Sequence, residues 1–164
     1  MQSFKDALAT ETLRRIVEES IPRIKKCLAA LSEEEIWFRP NEQSNSVGNL
    51  VLHLCGNVTQ WVGSGLGQRP DLRNRDLEFS ENGPLPTSRL IAELDKLPTL
   101  LTEVLKKTTE EDLLANYDVQ VYRENGVSIL IHAIEHFSYH TGQIAFYTKW
   151  RKNMDLEFYP EDLG

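Results

Sequence analysis

Apolar positions recur along most of this chain at the three-and-four spacing of an amphipathic helix, and four long stretches carry that pattern. From Ala9 to Leu31, residues Leu13, Ile16, Val17, Ile24 and Leu28 fall near one face with charged residues between them, which predicts a helix. Pro22 stands inside it and predicts a tightening or bend, because proline lacks the amide donor and its ring collides with the preceding turn. Ser32 followed by Glu35 matches a capping box and predicts a short turn that ends before Arg39-Pro40.

"NEQSNSVGNL" is rich in cap and turn residues, so Asn45 or Ser46 begins a second helix reaching about Leu66. At about 100° per residue, Val47, Leu50, Val51, Leu54, Val58, Trp61 and Val62 gather on one side of it, with His53 and Asn57 flanking the stripe. From that flank His53 reaches either a cleft or water. Residues 63–86 mix glycines, prolines and charges with little periodicity. They read as a long loop with a short turn near Leu72 to Phe79, and so long a connection is a candidate cover for a site.

Helical spacing resumes from Thr87 to Lys107, with Pro98 as a bend. "YDVQVYRENGV" alternates weakly and predicts a short extended segment with a turn at Asn125-Gly126. A final helix runs from about Ser128 to Lys149 with apolar residues around almost its whole circumference. Such a helix is either central or shared with a partner subunit. Four principal helices without a convincing β framework predict an all-α four-helix bundle. No repeat, low-complexity tract or linker divides residues 1–164, which read as one domain.

Composition leaves this picture intact and removes some functions. At 164 residues, 40% hydrophobic and 26% charged, the chain can bury a core without help from a metal or disulfide. The net charge is −7 and basic residues come only as pairs such as Arg14-Arg15, Lys25-Lys26 and Lys106-Lys107, which argues against a nucleic-acid surface. The first residues lack the pattern of an export signal, and no run approaches the ~18 apolar residues of a membrane span. The expectation is a cytoplasmic protein without a membrane partner, its Cys27 and Cys55 present as thiols.

Candidate chemistry concentrates in "HAIEHFSYHTGQI", where three of the four histidines lie on the last helix. With Ile129 at zero, His132 falls near 300°, His136 near 340° and His140 near 20°, and Gln143 and Tyr147 share the stripe at about 320° and zero. His136 and His140 are four apart and stack across one turn, a spacing that lets two imidazoles chelate one ion. A divalent metal usually takes more than two protein ligands, and His53 is the natural third. His132 is an alternative to His140, or a supporting histidine. The competing explanation is a seam of core histidines that satisfy one another, since buried imidazoles need partners for both nitrogens.

"EHFSYHTGQI", together with the upstream "SNSVGNLVLHLCGN" and its extended form RPNxxSNSVGNLxxH, resembles the DinB/YfiT-like superfamily, from about Leu8 to Trp150. The resemblance implies a four-helix bundle, often a homodimer, in which three histidines bind nickel, zinc or another divalent ion such as iron or manganese. Matched residue by residue, those ligands are His53, His136 and His140. It further implies a metal-dependent enzyme that activates a low-molecular-weight thiol or water, as an S-transferase or a hydrolase; a metal-stabilised binding or stress-response protein without turnover is the alternative. Fold and ligands do not choose among these.

Around the three histidines, Asn57 is placed to orient an imidazole or a water, and Gln143 to hydrogen-bond a ligand or cap a loop. Arg39 is a candidate for an anionic substrate group or a surface ion pair. Tyr147 offers a phenol to the cleft or packs inside. Glu135 lies about 100° from His136 and reads as a surface carboxylate. Cys55 lies about 160° around the helix from His53, which makes a chelate with it unfavourable, and reads as a buried thiol. Gly142 permits close approach of another helix.

Overall fold

The computed structural model describes residues 2–83 and 85–159; Pro84, within the predicted loop 63–86, lies outside the described residues. The first long rod opens with α1 (Phe4–Leu13), capped by the Ser3 hydroxyl accepting the Asp6 amide, and closes with α2 (Ile21–Ala30). Between them Arg14–Ser20 winds as a π-helix, in which the Ile21 amide reaches back to the Ile16 carbonyl. The wider turn sits immediately before Pro22, whose missing donor and bulky ring a normal helical turn would not accommodate. So the rod is continuous, and the proline is absorbed by unwinding.

The Ser32–Glu35 capping box forms and starts α3 (Glu33–Trp37). A second box, Ser46 with Asn49, starts α4 (Val47–Val58), which runs on into a π-helical segment Thr59–Leu66. The helix ends at Leu66 as expected, and within the predicted loop 63–86 the short turn near Leu72 to Phe79 is a helix, α5 (Arg75–Ser80), formed after an Asn74 cap. At Pro98 the chain breaks instead of bending: α6 (Thr87–Leu94) and α7 (Leu97–Lys107) are separate helices, with the proline at the start of α7, where its missing donor costs nothing.

A short helix α8 (Glu110–Leu114), begun by a Thr109–Asp112 capping box, was hidden in an acidic stretch. The extended segment is a two-stranded hairpin, β1 (Asn116–Val119) against β2 (Tyr122–Asn125). Its turn lies at Gln120 and Val121, with Gln120 at φ 56°, not at Asn125-Gly126. Asn125 instead caps the last helix, α9 (Gly126–Lys152), by accepting the Ser128 amide.

The rods form the expected all-α bundle: α2 packs on α9, α4 on α9 and α6, α7 on the segment Thr59–Leu66, and α1 on α7. Fully buried Ile16, Leu28, Leu54, Leu101, Ile129 and Phe137 fill its centre. Each such side chain contributes about 1.5–3 kcal/mol through burial. The pairing of α4 with α9 is therefore secured by apolar neighbours, and polar groups between them are free to serve chemistry.

No helix among the described residues is long and apolar enough to cross a membrane.

Candidate metal centre

Helix α4 delivers His53 and α9 delivers His136 and His140 to one point between them. One ring nitrogen of each lies within 4.8 Å of the others, and the Nε2 atoms of His53 and His136 are 2.8 Å apart. Nitrogens bound to one ion at about 2.0–2.1 Å must lie roughly 3.0–3.5 Å apart. The observed spread brackets that value, so modest ring rotations suffice, and the three histidines could hold a metal ion.

The outer nitrogens decide which face each ring presents. His53 is 6% exposed, not turned to water, and its Nδ1 lies 2.9 Å from Oε2 of Glu78. His140 Nδ1 donates to Oε1 of Gln143 at 2.7 Å. Arg73 Nη2 also stands 3.1 Å from His53 Nδ1, but the shorter contact of each is to Glu78 Oε2, at 2.8 and 2.9 Å. A carboxylate or amide oxygen only accepts, so with the proton on each Nδ1 each Nε2 keeps a lone pair for the shared point. Burial, helped by His140 and His53, pushes His136 down to about 3; burial likewise lowers His140. Rings that stay neutral are the form that binds metal.

Glu78 is an outer partner that sequence reasoning missed, and Arg73 is another. Arg73 grips the Glu78 carboxylate from Nε at 2.7 Å and Nη2 at 2.8 Å, and gives Nη1 to Gln60 Oε1 at 2.8 Å. Burial alone would raise Glu78, but the hydrogen bonds from Arg73 and His53 and the charge of Arg73 reverse this and hold it below the usual carboxylate range. Gly56 makes room for the arrangement: a Cβ there would stand 2.0 Å from Glu78 Oε1. The only sequence signal available was the requirement itself, since a buried metal-competent imidazole needs an acceptor behind it.

The motif around "RPN" and "SNSVGN" holds this wall in place. Asn49 Nδ2 donates to the carbonyls of Glu78 and Glu81 at 2.9 and 2.7 Å, while Arg39 bonds Asn49 Oδ1 and the Phe79 carbonyl. Arg39 thus bonds the Asn49 side chain and the Phe79 carbonyl, not a surface carboxylate. The Phe79 ring rests 4.8 Å from that of His53. Together these contacts seat α5 over the histidines.

His132 stands apart from the three. Its ring stacks on Trp61 at 3.7 Å and lies 5.3 Å from His136, while its Nε2 accepts from Asn57 Nδ2 at 3.3 Å. Asn57 therefore serves His132, not His53 or His136. Among the described residues, Asn57 Oδ1 and Trp61 Nε1 are buried without a hydrogen-bond partner. Tyr147 donates its hydroxyl to the Glu35 carbonyl at 2.9 Å, so it packs with a satisfied phenol. Glu135 is exposed. Cys55 is buried and its thiol pushed up by that burial. Apart from its own helix, no atom of the described residues lies within 4 Å of where a Gly142 Cβ would stand, so no other described helix approaches there.

The match to a family model, "Protein of unknown function (DUF1572)", spans residues 8–159. No curated protein matches the chain. A conserved protein from Enterococcus faecalis has a similar structure, with a TM-score of 0.70 at 19% identity, covering 87% of this chain and 94% of its own. A DinB-like protein (YjoA) from Bacillus subtilis gives 0.67 at 18% identity, over 96% of this chain and 99% of its own. A DinB-like protein from Bacillus cereus gives 0.63 at 18% identity, over 85% and 89%.

Proposed function

The chain belongs to the DUF1572 family, within the DinB/YfiT-like superfamily, and from that premise we propose that it is a divalent-metal-dependent enzyme activating a thiol or water. The observation that carries this is the pair of tied Nδ1 atoms, which leaves lone pairs of His53 and His140 turned toward His136. Three neutral nitrogen donors suit nickel or zinc, and also iron or manganese, and leave coordination positions for a reactant. When bound, the ion supplies positive charge that lowers the pKa of a coordinated thiol or water and polarises the reacting group.

The chain's own residues do the rest. Glu78, locked by Arg73, keeps His53 in one tautomer and orientation, and Gln143 does the same for His140. The Phe79 ring of α5 packs against that of His53, which is buried. A cavity beside His140 offers a reactant an approach, which favours turnover over a purely structural ion. The test is metal analysis of protein purified after growth with nickel, zinc, iron and manganese, followed by a panel of low-molecular-weight thiols with electrophilic and amide substrates. About one ion per chain, with thiol-dependent turnover, is the expected result. Metal-free protein from every supplement would sink the proposal.

A further inference from the structure

A cavity of about 650 Å³ lies between the C-terminal half of α9 and the segment that leads from α3 into α4. That volume falls within the ~300–1,000 Å³ of pockets that take small molecules. His140 and Gln143 belong to its wall, so the cavity borders the histidine cluster at His140. The walls beyond are rings: Phe38, Tyr139, Phe146 and Trp150. Phe146 and Trp150 are 75% and 61% exposed, although the helix that carries them buries Phe137 and Ile144 on its other side. Trp150 lies ten residues beyond His140 in sequence, roughly 15 Å along the helix.

Charge narrows the occupant. Lys, Arg, Asp and Glu make up 26% of the chain, yet among the described residues none of them lines this cavity. Beside His140 and Gln143, its polar side chains are the neutral amides and hydroxyl of residues 43–45 and the ring polar groups of tyrosine and tryptophan. The phenol of Tyr147 is turned away to the Glu35 carbonyl, so what that residue offers inward is ring surface. A charged body would lose its hydration here and gain no counter-charge. An aromatic or alkyl body gains contact with several ring faces at once.

We propose that this cavity binds the uncharged aromatic or alkyl body of a small substrate, whose single electron-pair-donating head points to His140 and the shared histidine nitrogens. The direction of the head rests on the metal-dependent function proposed above; the seat for the body does not. Trp150 and Phe146 are then specificity residues that select for the length and apolarity of the substrate.

Isothermal titration of the full chain tests this with three probes: 4-phenylbutane-1-thiol, 4-phenylbutan-1-ol and 2-mercaptoethanol. The zinc-loaded protein is expected to bind the phenylbutyl thiol at least about tenfold tighter than 2-mercaptoethanol, the gain from burying the extra apolar surface. Trp150→Ala and Phe146→Ala, both at exposed positions, should each remove most of that preference and leave 2-mercaptoethanol unchanged. Chelator-stripped protein should still bind 4-phenylbutan-1-ol. If no preparation takes up zinc but the alcohol binds and Trp150→Ala abolishes it, the metal proposal fails and this one stands. Equal binding of the two thiols by zinc-loaded wild type, or a preference untouched by both substitutions, overturns it. So does a dimer in sedimentation whose second copy covers Trp150 and shuts out all three probes.

Discussion

Two polar layers lie one turn apart on the same pair of helices, and they behave differently. In the upper layer His53 meets His136 and His140, and in the lower layer Asn57 and Trp61 meet His132. Both place imidazoles between α4 and α9. The upper rings of His53 and His140 have their Nδ1 atoms tied by Glu78 and Gln143, which aims their free nitrogens at a common point. The lower ring has its Nε2 taken by an amide and its face taken by an indole. Histidine count alone does not make a metal site; what holds the far nitrogen does.

The sharpest way to break that contrast is to delete one ring from each layer. His53→Ala should reduce zinc or nickel affinity beyond the ~10–100-fold typical of losing an outer partner, read by competition with a chromophoric chelator. His132→Ala should keep the ion and instead change Trp61 emission, because the stacked ring is gone. Equal loss of metal in both variants would merge the layers into one site.

Next in size is the outer shell of the upper layer. Glu78→Ala leaves the Arg73 guanidinium buried without its carboxylate, a change that costs about 3–5 kcal/mol, and it frees His53 to turn. Metal affinity should fall by about 10–100-fold, and urea unfolding should shift to lower concentration. Gly56→Ala reaches the same carboxylate by another route, since the new methyl must displace Glu78 Oε1. About tenfold weaker metal binding with a smaller loss of stability is expected from it. Unchanged affinity in both variants would mean that the His53 tautomer does not matter.

Much of the upper layer was legible in the sequence because its members sit on long periodic helices. The i, i+4 pair His136 and His140, and the position of His53 on the flank of an apolar stripe, are consequences of 3.6 residues per turn. The capping box at Ser32 and a helix start at Asn45 or Ser46 were legible from equally local signals, and the structure puts the second cap at Ser46. Glu78 and Arg73 were not. In their short segment the usual pattern inverts: Leu72 and Leu77 are 90% and 64% exposed while Glu78 is 8% exposed. Tertiary bonds fix that inversion, from Asn49 and Arg39 to the backbone and from His53 and Arg73 to the Glu78 carboxylate, and no periodicity records them. The hairpin turn was misplaced because Asn125-Gly126 suits either a turn or a helix cap, and the 27-residue helix that follows claimed the asparagine.

Proton affinity offers a smaller test of the upper layer in metal-free protein. His136 is pushed from its ordinary 6.5 to about 3 by burial and by the rings of His140 and His53. The unfolded chain then takes up a proton near pH 6.5 that the folded chain refuses. This contribution to stability is complete above pH 6.5 and is lost as the pH falls toward 3. The urea midpoint should drop across that window, and less steeply in His136→Asn. Identical slopes would show that the ring is hydrated in solution.

The smallest effect should come from replacing the lower layer as a unit. Asn57→Leu alone removes the donor to His132 Nε2 and costs about 1–3 kcal/mol, the penalty for an unpaired buried group. Combining it with His132→Phe removes both partners together with the unsatisfied Asn57 Oδ1, and phenylalanine keeps a ring against Trp61. Exchanging both halves of a buried polar pair for apolar groups is close to neutral, so the double variant should lie within about 1 kcal/mol of wild type in urea unfolding. Because its rings do not supply the converging nitrogens, metal affinity should change by less than about threefold. A loss of tenfold or more would mean that the His132 ring, packed against His136, holds that imidazole in position, and that the two layers act as one.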